Sequence, residues 1–193
     1  MKYDLTKKRS RSAQRTLDAF SEAMLTLIGQ KNFEKININE LCDLSNFPRA
    51  TFYNYFDDKF DLLDYCWYLL IAEAHLDELS NKPQYTLLEA CNYAFDHVYD
   101  LFKHREVLLK AIVANNSPTG SLITSFITSV RFTTRQLFYQ YFDTQKNNLP
   151  TKLVADHVSN TILLLIEWIF LKNHDVSKAE AHNYIEKFLG NLC

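Results

Sequence analysis

Leu17, Phe20, Met24, Leu27 and Ile28 recur at intervals of three and four residues, which predicts one amphipathic helix over 12–30. The stretch GQKN closes it: Gly29 lowers helix propensity, and Asn32 tolerates the left-handed cap conformation. Phe33 and Ile36 then point inward. A second helix is predicted after Asn37, which can N-cap it with Glu40 as the reciprocal partner, and Ile38, Leu41 and Cys42 form its inner face. It is barely two turns long before SNF ends it. Pro48 suits the first position of another short helix, where its missing N–H costs nothing, and it pushes Phe47 toward an extended conformation. That helix is expected to reach Phe56. Asp57 and Asp58 close it, and Asp58 caps the next, which is expected to run from Lys59 through FDLLDYCWYLLIAEAHLDEL. Further helices are predicted over 85–103, 105–114, 121–142, from 150 or 151 to 172, and over 177–192, with NNSPTG as the clearest loop.

Composition agrees with this pattern. Only 3 Gly and 4 Pro occur in 193 residues, too few for the turns of an all-β chain, so the fold class is expected to be all-α. No repeat or flexible linker divides the chain. The expected organisation is a basic arm over 1–11, a first domain over 12–59 that holds the two short helices at 37–56, and a helical domain over 60–193 that shares a helix with it. The most apolar run, ILLLIEWIFL, has ten residues and includes Glu167; a membrane span needs about 20. A buried helix and no membrane partner are therefore expected. The start of the chain is basic and polar rather than an apolar leader, and Cys42, Cys66, Cys91 and Cys193 form no Cys-x-x-Cys pair. Free thiols in a reducing cytoplasm follow.

Charge adds one asymmetry. The formal net charge is -2, but Lys2, Lys7, Lys8, Arg9, Arg11 and Arg15 crowd the start, opposed nearby by Asp4 alone. A basic arm on an acidic body can reach phosphate; the same residues can equally form a solubilising tail.

Two short helices joined by a tight turn and braced by a longer first helix make a helix-turn-helix, whose second helix enters a major groove. With residues placed at 100° intervals, Phe52 and Phe56 share a side facing Leu17, Phe20 and Leu41. Ala50 and Asn54 face away, flanked by Thr51 and Tyr53. Methyl groups of Ala or Thr can touch a thymine methyl, and Asn can pair with adenine. No side chain caps this helix, so its free N–H groups could meet a phosphate. A packing helix with half-buried tyrosines is the competing reading of the same spacing.

The stretch ININELCDLSNFPRATFYNYFDDKFDLL, preceded by LIGQKNFEKI, resembles the DNA-binding domain of the tetracycline-repressor (TetR) family of bacterial regulators. Phe33, Ile36, Leu41, Thr51, Phe52, Tyr53, Phe56, Lys59, Leu62 and Leu63 fall in register with the family pattern, over roughly 13–70. The resemblance implies DNA contacts from Asn37, Arg49, Ala50, Thr51, Tyr53, Asn54, Tyr55 and Lys59. Three positions depart from the pattern. Asn32 and Asn46 stand where glycine is usual, and Pro48 replaces a capping Ser or Thr that also touches phosphate. The resemblance further implies a homodimer on a palindromic operator, a small-molecule effector in the C-terminal domain, and repression as the commoner mode. A protein-binding adaptor or co-activator on the same scaffold is the alternative.

The residues of the C-terminal half fit a dimer. A helix apolar nearly all round must be covered on two sides, by its own core and by a partner subunit or more of the same chain. Ile162, Ile166, Ile169, Ile185 and Phe188 are the candidate interface residues. Tyr93, His97, Phe102, Phe126, Tyr139 and Trp168 are the candidate ligand-pocket residues, although aromatics at helical spacing are more often core. His97 and His104 share a face without a third ligand, so no metal is expected. No Ser-His-Asp set, phosphate loop or carboxylate pair stands out, and neither catalysis nor a cofactor is expected.

Overall fold

The structure is a computed structural model and describes residues 10–82, 84–143 and 149–190. Lys2, Lys7, Lys8, Arg9 and Cys193 lie outside the described residues. Among the described residues every regular element is helical, as expected. They are α1 (Arg11–Gln30), α2 (Ile38–Ser45), α3 (Arg49–Tyr55), α4 (Lys59–Ala72), α5 (Leu87–His104), α6 (Glu106–Asn115), α7 (Ser121–Asp143), α8 (Thr151–Ile166) and α9 (Lys178–Leu189). Short 3-10 turns cover Phe33–Lys35 and Leu76–Asn81, and α8 runs on as a π turn over Glu167–Leu171.

The chain forms two compact units. The first comprises the chain up to Leu69 together with Val107–Phe126; the second is Leu70–Glu106 with the chain from Ile127 onward. The division expected at 59/60 therefore moves. Most of α4 stays with the first unit because Leu62, Leu63, Tyr65 and Cys66 are core side chains. The ring of Tyr65 also lies 5.9 Å from that of Phe56.

In the first unit, Leu17, Phe20, Met24 and Ile28 of α1 are fully buried with Leu41, Phe52 and Phe56. Residues 107–126 join them through polar bolts that the sequence does not announce. The Asn116 side chain donates to the carbonyls of Ile28 (3.2 Å) and Ile112 (2.9 Å) and accepts from the Phe33 N–H (2.8 Å). Asn115 donates to the carbonyl of Gly29 at 2.9 Å. Gly29 lies within α1 rather than ending it, and a Cβ there would meet Leu108 Cδ1 at 3.3 Å. Asn32 is not left-handed: at φ -61° it is extended and caps the 3-10 turn through the Glu34 N–H. Lys31, also extended, ends α1 instead.

In the second unit, α5 packs against α8 and α9. Ala90, Ala94, Phe95 and Val98 of α5, Val158 and Ile162 of α8, and Ala181 and Ile185 of α9 are all buried. Lys178 donates to Asp100 (2.8 Å), and His182 bonds Asp96 (2.8 Å), along the rim of that contact. The long helix expected through Leu79 breaks instead. His75 is left-handed at φ 49°, and the chain continues as the 3-10 turn. The break is held by His97, whose Nδ1 meets the Ala74 carbonyl at 2.7 Å, and by the Arg105–Glu73 pair at 2.7 Å. The segment Thr151–Leu171 reaches the length and mean hydropathy (1.4) of a membrane span, but 56% of that window is buried in the protein, as in a core helix. Cys42, Cys66 and Cys91 are buried and form no disulfide among the described residues, and burial pushes the Cys66 thiol up.

Candidate nucleic-acid interface

The site begins with a cap. The Asn37 side chain accepts the Glu40 N–H at 3.1 Å, and Glu40 accepts the Asn37 N–H at 3.0 Å, which starts α2 with both donors satisfied. Lys31 closes on the same carboxylate. These two hydrogen bonds, from Lys31 and then from the Asn37 N–H, hold the Glu40 carboxyl below the usual carboxylate range. α2 ends where Asn46 turns left-handed (φ 58°), a conformation asparagine tolerates. The Phe47 N–H returns to the Cys42 carbonyl at 3.1 Å. Pro48 occupies the N-cap position of α3 rather than its first turn, and no side chain caps that helix.

The seven-residue α3 is oriented by its phenylalanines. Phe52 and Phe56 are both fully buried, with ring centroids 5.4 Å and 6.2 Å from that of Phe20. Burying each contributes roughly 1.5–3 kcal/mol. The opposite face is thereby fixed outward: Arg49, Ala50, Tyr53 and Asn54 are exposed, with Thr51 and Tyr55 half-buried beside them. Arg49 is pre-set. One nitrogen donates to Asn39 Oδ1 (2.9 Å) and another to the Tyr53 hydroxyl (3.0 Å), with its guanidinium 5.6 Å from the Tyr53 ring centre. Asn39 has no signal in the sequence, because its partner lies ten residues away on another helix. A cleft of about 460 Å³ beside it is lined by Asn37, Ile38, Asn39, Arg49, Asp58, Lys59 and Phe60. Asp58 caps α4 through the N–H groups of Phe60 (2.8 Å) and Asp61 (2.9 Å).

Of the eight residues implied by the resemblance, six form this outward face and Asn37, the cap of α2, is exposed beside the adjoining cleft. Lys59 differs, because its ammonium turns inward onto three backbone carbonyls.

The ligand-pocket candidates make separate local contacts. Phe126 belongs to the first unit and lies 4.7 Å from Trp67 by ring centroids. Phe102 is buried against Phe170. Tyr139 donates to Asp156 at 3.0 Å, while Trp168 is exposed and stacked on His174 at 3.7 Å. The Tyr93 ring lies tilted against that of His97, with centroids 4.1 Å apart. Of the six, only His97 lines the cleft of about 340 Å³ formed by Glu73, Ala74, His97, Asp100, Leu101, His104 and Arg105.

No protein-family model matches the chain, and no curated protein matches it. Solved structures do. One, from Syntrophomonas wolfei and assigned to the TetR family of transcriptional regulators, superposes with a TM-score of 0.63 at 21% identity over 94% of this chain and 96% of that one. The fold is that of the TetR-type regulators. A second, from Clostridium perfringens and assigned as a fatty acid metabolism regulator, gives a TM-score of 0.51 at 12% identity, covering 89% of this chain and 96% of that one.

Proposed function

We propose that the protein is a DNA-binding transcriptional regulator that reads a palindromic operator as a homodimer. The observation that carries this reading is the two-sided α3. Its phenylalanines anchor it on Phe20, and its outward side offers a methyl, an amide, a phenol and one pre-set guanidinium, with no carboxylate among them. Ala50, Thr51 and Asn54 face base edges; Arg49, Tyr53 and Tyr55 reach the backbone on either side. Asn37 spends its carbonyl oxygen on the cap, so its amide N–H groups are what it offers to a phosphate. Repression is the mode assigned, since a bound dimer blocks a promoter by occupancy alone. A small effector would act through the second unit. The protein is assigned no enzymatic activity, and its place of action is the cytoplasm.

One observation favours a second reading. Asp57, Asp58 and Asp61 stand at the start of α4 beside the reading face and repel phosphate. A protein-binding adaptor, acting as a co-activator, would tolerate them. Selection of bound sequences from random duplex DNA separates the two. A regulator recovers a palindrome whose affinity falls steeply with salt; recovery of no enriched sequence favours the adaptor.

Tyr53→Phe keeps the ring and removes the hydroxyl that Arg49 donates to. Binding to the selected duplex is expected to weaken by about 1 kcal/mol, roughly fivefold, with the unfolding midpoint unchanged. Unaltered affinity at low salt would make Tyr53 a packing residue. Deleting residues 1–9 leaves the Ser10 cap on α1, which accepts the Ala13 N–H at 3.1 Å. It is expected to weaken all duplexes alike, because phosphate neutralisation carries no direct base information. A shifted sequence preference would show that this segment reads a groove.

A further inference from the structure

Lys59 is the first residue of α4, and its Nζ lies 3.0 Å from each of three carbonyl oxygens, those of Phe33, Glu34 and Ile36. An ammonium has three N–H donors, and here each has an acceptor. The charge also sits 4.6 Å from the Phe33 ring centre and 5.8 Å from that of Phe60. The three carbonyls converge because the Phe33–Lys35 turn is 3-10 and ends at Ile36. They form a concentration of negative dipole that a point cation satisfies. The next residue along the chain is Asn37, the cap of α2.

We propose that Lys59 is a positioning residue for DNA reading, a clamp that fixes the turn launching α2 and does not itself touch phosphate. The inference rests on the DNA-binding reading above for its consequence, though the clamp itself rests on geometry. With the turn pinned to the start of α4, Asn37 and Asn39 hold a fixed position relative to α3. Asn39 in turn sets Arg49, so loosening the turn unsettles two members of the reading face at once. The clamp also explains the residue type. A tetrahedral ammonium can direct three donors at three converging oxygens, whereas the planar fork of a guanidinium cannot.

Lys59→Met and Lys59→Arg separate a clamp from a phosphate contact, because the two roles give opposite results for arginine. Affinity for the selected duplex is measured over a salt series, at a temperature where circular dichroism shows each protein fully helical. A clamp predicts that both variants lose roughly tenfold or more in affinity, with the slope of log affinity against log salt unchanged. A phosphate contact predicts near wild-type binding for Lys59→Arg and a salt slope reduced by about 1 for Lys59→Met; either result overturns the proposal. Should Lys59→Met fail to fold, the folded arginine variant decides by itself. Amide hydrogen exchange gives a second readout: the N–H groups of Ile36, Asn37 and Glu40 lose protection in both variants, while those of α5 and α9 do not. Unchanged exchange there refutes the clamp. If random duplexes yield no selected sequence, the DNA reading fails, and the exchange measurement still decides whether Lys59 holds the turn.

Discussion

Asn116→Leu is expected to destabilise the first unit by about 2–5 kcal/mol, a large part of the stability of an ordinary domain. The side chain is 6% exposed and serves two backbone groups from distant parts of the chain. One is the Ile28 carbonyl, among the last four of α1, which have no acceptor role left within the helix. The other is the Phe33 N–H at the start of the 3-10 turn. Leucine keeps the branched shape but is larger than asparagine, so the change opens no cavity and any overpacking adds to the polar loss. Each backbone group left buried without a partner costs about 1–3 kcal/mol. The Ile112 carbonyl is not orphaned, because it also accepts the Asn116 backbone N–H at 2.9 Å. Asn115→Ala is the comparison. It removes a donor from the half-buried Gly29 carbonyl, where water can substitute, and should cost about 1 kcal/mol. Urea unfolding followed by circular dichroism, with exchange of the Phe33 amide, checks both. An unfolding midpoint for Asn116→Leu equal to that of Asn115→Ala would mean that the amide is dispensable.

This residue marks where sequence reading stops. The orientation of α3 was legible because Phe52 and Phe56 are four apart, and nothing else in a seven-residue helix competes for the core. The Asn37–Glu40 cap and the left-handed Asn46 were legible for the same kind of reason: cause and effect lie within four residues. Asn116 sits in NNSPTG, which reads as a loop, and two of its three side-chain partners are more than 80 residues away. No local pattern could separate it from a solvent-exposed turn asparagine. Lys59 shows a subtler limit. Its place in the pattern was visible, but the direction of its ammonium depends on carbonyls that converge only once the 3-10 turn has formed. The break at His75 was hidden because the apolar spacing continues across it. Leu76 and Leu79 are buried whether they sit on the helix or on the turn that replaces it.

The helix α8 is apolar on nearly every side, and most of that surface is buried by its own chain. Ile162, Ile166, Ile169 and Ile185 are buried within the chain and cannot form a surface; of the five interface candidates only Phe188, at 51% exposure, faces out. A helix apolar on every side gives no sequence signal of which stripe meets its own core. The outward stripe is Leu153 and Leu164, with Trp168 at the π turn, where it stacks on His174. Leu164 is 51% exposed on a helix that packs against α9, which carries Phe188. A seven-residue reading helix touches too few base pairs to find one site in a genome. A two-fold dimer places two such helices on one face of DNA, about one helical turn or more apart. The double variant Leu164→Glu with Phe188→Glu costs the protomer little, since both side chains already meet solvent. In a dimer it would bury two charges per subunit, each at a cost of several kcal/mol unless paired. The variant is therefore expected to sediment as a monomer, keep its helical content and lose at least roughly a hundredfold in operator affinity, with every residue of α2 and α3 untouched. Ile185→Glu should instead unfold the second unit, because it forces a charge into a fully buried position. A wild-type protein that sediments as a monomer at micromolar concentration would defeat the dimer, and a double variant that remains dimeric would place the interface elsewhere.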